Sequence, residues 1–323
     1  MTLHITARRP LRHAGLTLVE LLVALALGTL IAIAAVSALI VARQGFRSVD
    51  TNAQLRENAR FAASLIQRVV VQAGFENAAY GLYTDPKDPG LDGFDNAMIG
   101  NYSHASNAPA MVTDSRSSCT QTDTSCANGS DILVVRYFGA SRAGAATGDG
   151  SIINCAGQTE AEGAERAFSI FHVVRSAAGE PTLACTYRNG TAWATVPLVT
   201  GVEGFQVLYG VDTQNGATAA ATPQLGDTIA DTYLTARQLE NTPSGSRIDN
   251  WRRVRTVRIG LLIRGPVPET LVSAAAASTP VLGSQFANST DIGSSLNLPA
   301  DGRLRQRLVF TVHLRNAQYA YSS

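Results

Sequence analysis

Charge is scarce in this sequence, and neither sign prevails. Lys and Arg number 26 against 25 Asp and Glu, and charged residues make up 16% of the 323. A chain so nearly neutral lacks the global field that draws a protein to nucleic acid or to an anionic membrane surface. Cysteine occurs only at Cys119, Cys126, Cys155 and Cys185, with no C-x-x-C and no histidine at finger spacing, which argues against structural zinc. The histidines (His4, His13, His104, His172 and His313) form no H-E-x-x-H, and there is no G-x-S-x-G, Walker loop or dinucleotide fingerprint. No nucleophile stands out, so an enzyme is not expected. The most defensible enzyme reading would be a periplasmic hydrolase on a membrane anchor. Proline is absent from 16–73, so nothing there need break a helix.

What is present begins with a basic stretch, Arg8, Arg9, Arg12 and His13, closed by Ala14-Gly15. From Leu16 to Ala42 follows LTLVELLVALALGTLIAIAAVSALIVA, in which Glu20 is the one ionisable residue. A hydrocarbon core about 30 Å thick needs about 20 helical residues, so the run is long enough to cross it. The basic flank predicts a cytoplasmic N-terminus. A secretory signal peptide or a plain signal anchor would share these features, but neither explains Glu20. A carboxylate inside a membrane costs about 2.5–3.5 kcal/mol even on the lenient insertion scale, so it calls for a partner. Cleavage between Gly15 and Leu16 would create one. The new α-amine would lie four residues before Glu20, about 6 Å along a helix axis. The carboxylate could then meet its own amine or that of a neighbouring copy, and it sits well near the positive end of a helix.

Beyond Ala42 the pattern turns amphipathic. Phe46, Val49, Ala53, Ala62, Ile66, Val69 and Ala73 suggest one helical stripe, with Arg43, Arg47, Arg56, Arg60 and Arg68 largely off it. Gly74 is a natural stop, so one helix is expected over 16–73. Gly28 is its weak point, at about 1 kcal/mol relative to Ala. From there on the signals are β: Ile132–Phe138, Ala167–Val174, Gly204–Tyr209, Val254–Ile263 and Arg303–Arg315. Val257, Ile259, Leu261 and Ile263 share one face, as do Leu304, Gln306, Leu308, Phe310, Val312 and Leu314. Gly-, Pro- and Asn-rich stretches at 81–128, 139–164, 212–250 and 265–302 read as loop insertions. The expected fold class is α+β: one long N-terminal helix packed on an antiparallel β-sheet head over 74–323.

Three further groupings could carry chemistry. An even number of cysteines in a chain that crosses a membrane points to two disulfides in an oxidising compartment. Three pairings exist, and nearest-neighbour spacing favours Cys119–Cys126 with Cys155–Cys185. Asp85, Asp88, Asp92 and Asp95 lie within eleven residues and could offer oxygens to calcium, but they lack EF-hand spacing, and a solvated loop is the expected reading. Arg252, Arg253, Arg255 and Arg258, then Arg303, Arg305 and Arg307, alternate with apolar residues as the solvent face of a strand would. Nucleic acid is not an expected partner.

Gly15 followed by LTLVELLVALALG resembles the class III signal of type IV prepilins and pseudopilins. The resemblance implies a leader, 1–15, cut after Gly15 by a prepilin peptidase, N-methylation of Leu16 (where the family most often has Phe) and a requirement for Glu20 in assembly. SDILVVRYFG at 130–139, LVTGVEGFQVLYGVDT at 198–213, WRRVRTVRIGLLIR at 251–264 and RLVFTVHLRN at 307–316 are similar to PilW-type minor pilins. That resemblance implies a pilin-like fold, with 16–42 as membrane span and filament core and 43–73 packed on the head. It implies a single-pass protein of the inner membrane that later enters the pilus. Implied partners are other minor pilins and pilin subunits, the pilus assembly platform and a large tip adhesin. Its roles would be priming assembly, adhesion and twitching motility, without a cofactor. The large minor pseudopilin of type II secretion carries the same signal and is the alternative.

Overall fold

The structure is a computed structural model of the chain. It describes residues 17–76, 89–97, 99, 126–163, 165–190, 192–213, 229–242, 247–266, 278–287 and 289–316. The chain divides into two compact units, 1–50 and 51–323.

Helix α1, Leu18–Val70, runs for 53 residues without a break. In the first unit its side chains are exposed along its length, Leu18, Leu22, Leu30, Ile33 and Val41 among them. In the second unit it buries a stripe of Thr51, Leu55, Ala59, Ala62, Ile66, Val69 and Val70. The stripe expected from the sequence needs correction at its start. Phe46 and Val49 are exposed, as is Ala53, and Leu55 and Ala59 take the inward positions. Steps of three and four back from Ala62 lead to 59, 55 and 51, not to 53. Turns after Val70 end at Gly74, whose φ of 68° is the left-handed conformation that glycine adopts at low cost.

Among the described residues the head contains two large antiparallel sheets and a small two-stranded one. The first has five strands in order: β1 Leu91–Phe94, β2 Ile132–Tyr137, β3 Ala167–Arg175, β4 Pro181–Asn189 and β5 Ala192–Thr200. After a turn at Gly201 come β6 Val202–Val211, β7 Thr232–Leu234, the short helices α2 Ala236–Glu240 and α3 Arg247–Arg252, and β8 Val254–Arg264. A two-stranded hairpin, β9 Ser278–Pro280 with β10 Ser295–Asn297, precedes the final strand β11 Arg305–His313. The second sheet has the order β11-β8-β6-β7.

One large core joins the packed half of α1 to the inner faces of both sheets. Leu55, Ile66 and Val69 contribute from the helix, Leu133, Phe171 and Leu183 from the first sheet, and Phe205, Ile259 and Leu261 from the second. The shared face foreseen for β8 is there: Val257, Ile259, Leu261 and Ile263 are all fully buried. A smaller cluster of Leu262, Val281 and Leu296 covers the opposite face of β8. Both faces of this strand are therefore dry, where the sequence suggested a solvent face.

Strands β1, β4 and β5 were not anticipated. β1 lies inside the stretch read as an acidic loop, and β4 and β5 carry Thr, Ala and Pro where long apolar runs were sought. Pairing supplies what propensity lacks. Leu183, Cys185 and Tyr187 of β4 enter the core between β3 and β5.

Candidate functional site

Gly15 and Leu16 lie outside the described residues. The site can be built from Thr17 onward. Thr17 caps α1, and its hydroxyl accepts the Glu20 N–H at 3.3 Å. In return Glu20 Oε2 accepts the Thr17 N–H at 3.0 Å and the Thr17 hydroxyl at 3.1 Å. The T-L-V-E sequence is thus a reciprocal capping box, which satisfies helix-start N–H groups that would otherwise lack partners. The partner expected for Glu20 was the α-amine of residue 16; the partner present is Thr17, one residue on. Glu20 Oε1 has no hydrogen-bond partner among the described residues.

Behind this turn the helix is long and apolar enough to cross a membrane. Its most apolar 18-residue window has mean hydropathy 2.6, with none of it buried. No other described residue between Thr17 and Ala42 is ionisable.

Two family models match the chain. Residues 11–36 match the prokaryotic N-terminal methylation motif. Residues 170–316, from β3 to just beyond β11, match the type IV pilus-assembly protein W family. The chain is type IV pilin-like, with an N-terminal methylation motif and a PilW-family region over 170–316. Among curated proteins nothing matches it. A type IV-like pilin, TTHA1219 from Thermus thermophilus, is similar to this pilin at 14% identity and a TM-score of 0.37, over 82% of this chain and 98% of that one. At that score the likeness carries no weight for the fold.

In the head of this pilin, Cys155 and Cys185 are joined by a disulfide with their Cα atoms 5.8 Å apart. Cys126 is also disulfide-bonded, and Cys119 lies outside the described residues. The bridge ties the 140–163 loop to β4. Beside it, Ser169 Oγ accepts the Cys155 N–H at 2.9 Å and lies 2.6 Å from the Tyr137 hydroxyl.

The acidic stretch is not a solvated loop where it can be seen. Asp92 is fully buried against Arg136 at 3.5 Å. Asp95 accepts the Ala236 N–H on Oδ1 and the Arg237 N–H on Oδ2, both at 2.9 Å, and so caps α2. These two side chains face a cation already present and two backbone donors, which is no calcium cage. Asp85 and Asp88 lie outside the described residues. Among the described residues no group of three or more Asp, Glu, His or Cys could hold a metal ion.

The arginines also depart from the expected solvent face. Arg305 grips Glu203 at 2.7 and 3.1 Å and Asp301 at 2.8 Å through both oxygens, a double fork. Arg264 bridges Glu203 at 3.1 Å and Glu180 at 2.7 Å, and Arg303 reaches Glu180 at 3.4 Å. Three cations and three anions thus close on themselves across both sheets, and Arg305 and Glu203 are only 8% and 5% exposed. Arg255 pairs with Asp212 at 3.4 Å. Arg258 lies over the rings of Tyr233 and Phe286, at 5.9 and 5.3 Å. Folding brings acids and rings from distant segments onto these arginines, which periodicity alone cannot show.

Two buried groups escaped the sequence reading. His172 Nε2 lies 2.9 Å from the Thr186 hydroxyl, and burial drives its pKa down to about 3, which keeps it neutral. Asp131 accepts the Asn96 N–H at 3.0 Å and the Val207 N–H at 2.8 Å. Burial pushes its carboxyl well above the usual range, and Asp95 and Asp291 add to the effect. Both roles are structural: Asp131 stands where a strand would otherwise pair with β6.

Proposed function

We propose that this PilW-type pilin works by assembly. It inserts as a single-pass protein of the inner membrane with a cytoplasmic N-terminus. Prepilin peptidase removes the leader 1–15 after Gly15 and Leu16 is methylated. The assembly platform then takes the mature chain into the tip of a type IV pilus. There it joins other minor pilins and pilin subunits, primes the filament and carries a large adhesin. Residues 16–73 act as the filament helix and 74–323 as the exposed head.

The observation that carries this reading is the Glu20 carboxylate at the first turn of α1, bound by Thr17 on one oxygen and without a hydrogen-bond partner among the described residues on the other. A carboxylate in an apolar segment is a fitting acceptor for a neighbour's α-amine. Such a pair would set the axial register between subunits, and it exists only for cleaved chains. The match over 170–316 favours a pilus over a secretion pseudopilus.

Glu20→Ala tests it. Insertion should be equal or better, because an expensive membrane carboxylate is gone, and cleavage should continue. The amine left unpaired in the filament core costs about 3–5 kcal/mol, as for a broken buried pair. The mature protein is therefore expected in the membrane and scarce in sheared pili, with Glu20→Gln similar and Glu20→Asp intermediate. Entry of Glu20→Ala into pili at the wild-type level would overturn the pairing.

A further inference from the structure

Most sheet edges in the head are closed. In the first sheet β1 has four residues, and β5 carries Pro197 beside a register shift between Leu183 and Ala184, a common way to blunt an edge. In the second sheet β7 has three residues. The rest of that edge of β6 is plugged by Asp131, whose N–H donates to the Phe205 carbonyl at 2.8 Å while its carboxylate accepts the Val207 N–H.

The β11 edge is different. It is nine residues long and free of proline. The Leu314 N–H donates to the Arg255 carbonyl at 2.9 Å, and the Gly265 N–H to the Leu304 carbonyl at 2.8 Å. With the register of β11 on β8, these bonds turn the even-numbered residues toward β8. The N–H and C=O groups of Arg305, Arg307, Val309, Thr311 and His313 therefore point outward. They have no backbone partner among the described residues.

Side chains along this edge state what fits it. Leu308 and Phe310 face the core side but are only half-buried, forming a ledge at the sheet's margin. The centre of the strand, Leu308 to Val312, is uncharged, so no mid-strand charge guards it. At its ends Arg307 and Arg315 are exposed. Among the described residues Arg307 reaches the Pro280 carbonyl at 3.1 Å and no carboxylate, unlike Arg305, which is paired with Glu203 and Asp301.

We propose that the β11 edge is a docking site for an extended segment of a partner protein, added as a fifth strand, with apolar residues alternating with acidic ones. Apolar side chains would extend the ledge of Leu308 and Phe310, carboxylates would meet Arg307 and Arg315, and main-chain bonds would supply affinity. A second copy of β11 fits poorly, because its own outward row is basic. The site does not depend on cleavage after Gly15.

The test uses the full chain in detergent, with two nine-residue peptides as probes. One alternates valine with glutamate, and the other alternates valine with lysine. Amide hydrogen exchange is read at residues 305–313 and binding by fluorescence anisotropy. The glutamate peptide is expected to slow exchange at residues 305, 307, 309, 311 and 313 at least tenfold, and the lysine peptide to have little effect. Val309→Pro deletes an outward N–H and no bond to β8, so it should fold normally and lose the response. Arg307→Glu should weaken the glutamate peptide tenfold or more and favour the lysine peptide, and it serves if the proline variant does not fold. Failure of the glutamate peptide to protect these amides, or unchanged binding by Arg307→Glu, overturns the proposal. Protection that instead grows with protein concentration alone assigns the edge to a second copy and overturns the acidic partner.

Discussion

Gln72 holds Ile153 with both atoms of its amide. Nε2 donates to the Ile153 carbonyl at 2.9 Å, and Oε1 accepts the Ile153 N–H at 2.9 Å. The pair is buried, 81 residues apart in sequence, and it locks the turn after α1 to the 140–163 loop; next to it Asn316, beyond β11, donates to the Ala73 carbonyl at 3.1 Å. Gln72→Ala would strand both backbone groups of Ile153, at about 1–3 kcal/mol for each group left unsatisfied. Gln72→Glu should also destabilise, because a carboxylate cannot donate to the carbonyl. Thermal melting of the full chain in detergent, with proteolysis mapped to 140–163, checks this. A melting temperature unchanged in Gln72→Ala would remove the lock.

Replacing both Cys155 and Cys185 by alanine should cost the head about 2–4 kcal/mol, since the bridge restrains the unfolded chain across a sequence separation of 30. Without reductant, alkylation followed by peptide mass spectrometry should find neither thiol free in the exported protein. Free thiols at both positions would be incompatible with the bond.

Asp291 and Asp301 predict opposite pH effects. Burial, with the Asp95 charge, raises the Asp291 carboxyl to about 6. A raised carboxyl makes the fold bind a proton the unfolded chain lacks, so its contribution is full below the unfolded value of about 3.9 and declines as pH rises through 6. Hydrogen bonds from Arg305 hold Asp301 down at about 2, so its contribution is present above about 3.9 and lost as pH falls through 2. Asp291→Asn is therefore expected to raise the melting temperature at pH 7 relative to pH 5, by about 2–4 °C if 1 kcal/mol is recovered. Asp301→Asn should lower it at pH 7 and converge on wild type near pH 2. Equal pH profiles for Asp291→Asn and wild type between pH 4 and 6 would contradict the assignment.

If the leader is cut after Gly15 as proposed, Gly15→Val or Gly15→Glu should block the cut and leave a band heavier by the leader residues. Edman sequencing that still begins at Leu16 in such a variant would show that processing does not depend on the glycine.

The long helix was legible because its causes are local. Absence of proline, the apolar run and Gly74 act within a few residues of where they stand, and α1 follows them to Val70. The face of β8 was legible for the same reason, since alternation needs only the strand itself. The burial stripe of α1 was misjudged near residue 53 because Ala and Thr carry little pattern, and the head selects which of them faces inward. Strand β5 stayed hidden because it gains its order from β4 beside it.

By itself the sequence determined the membrane-competent helix, the position of Glu20 in its first turn and the β character of the head. Each rests on periodicity, length or composition read over a short window. Only the tertiary structure decided the fate of the charges. Glu203 and Arg305 stand 102 residues apart, Asp95 and the α2 N-terminus 141, and whether such groups meet water or one another depends on which strands pair. A charge leaves water only where a partner waits, and that partner is set by chain topology, which no window of sequence contains.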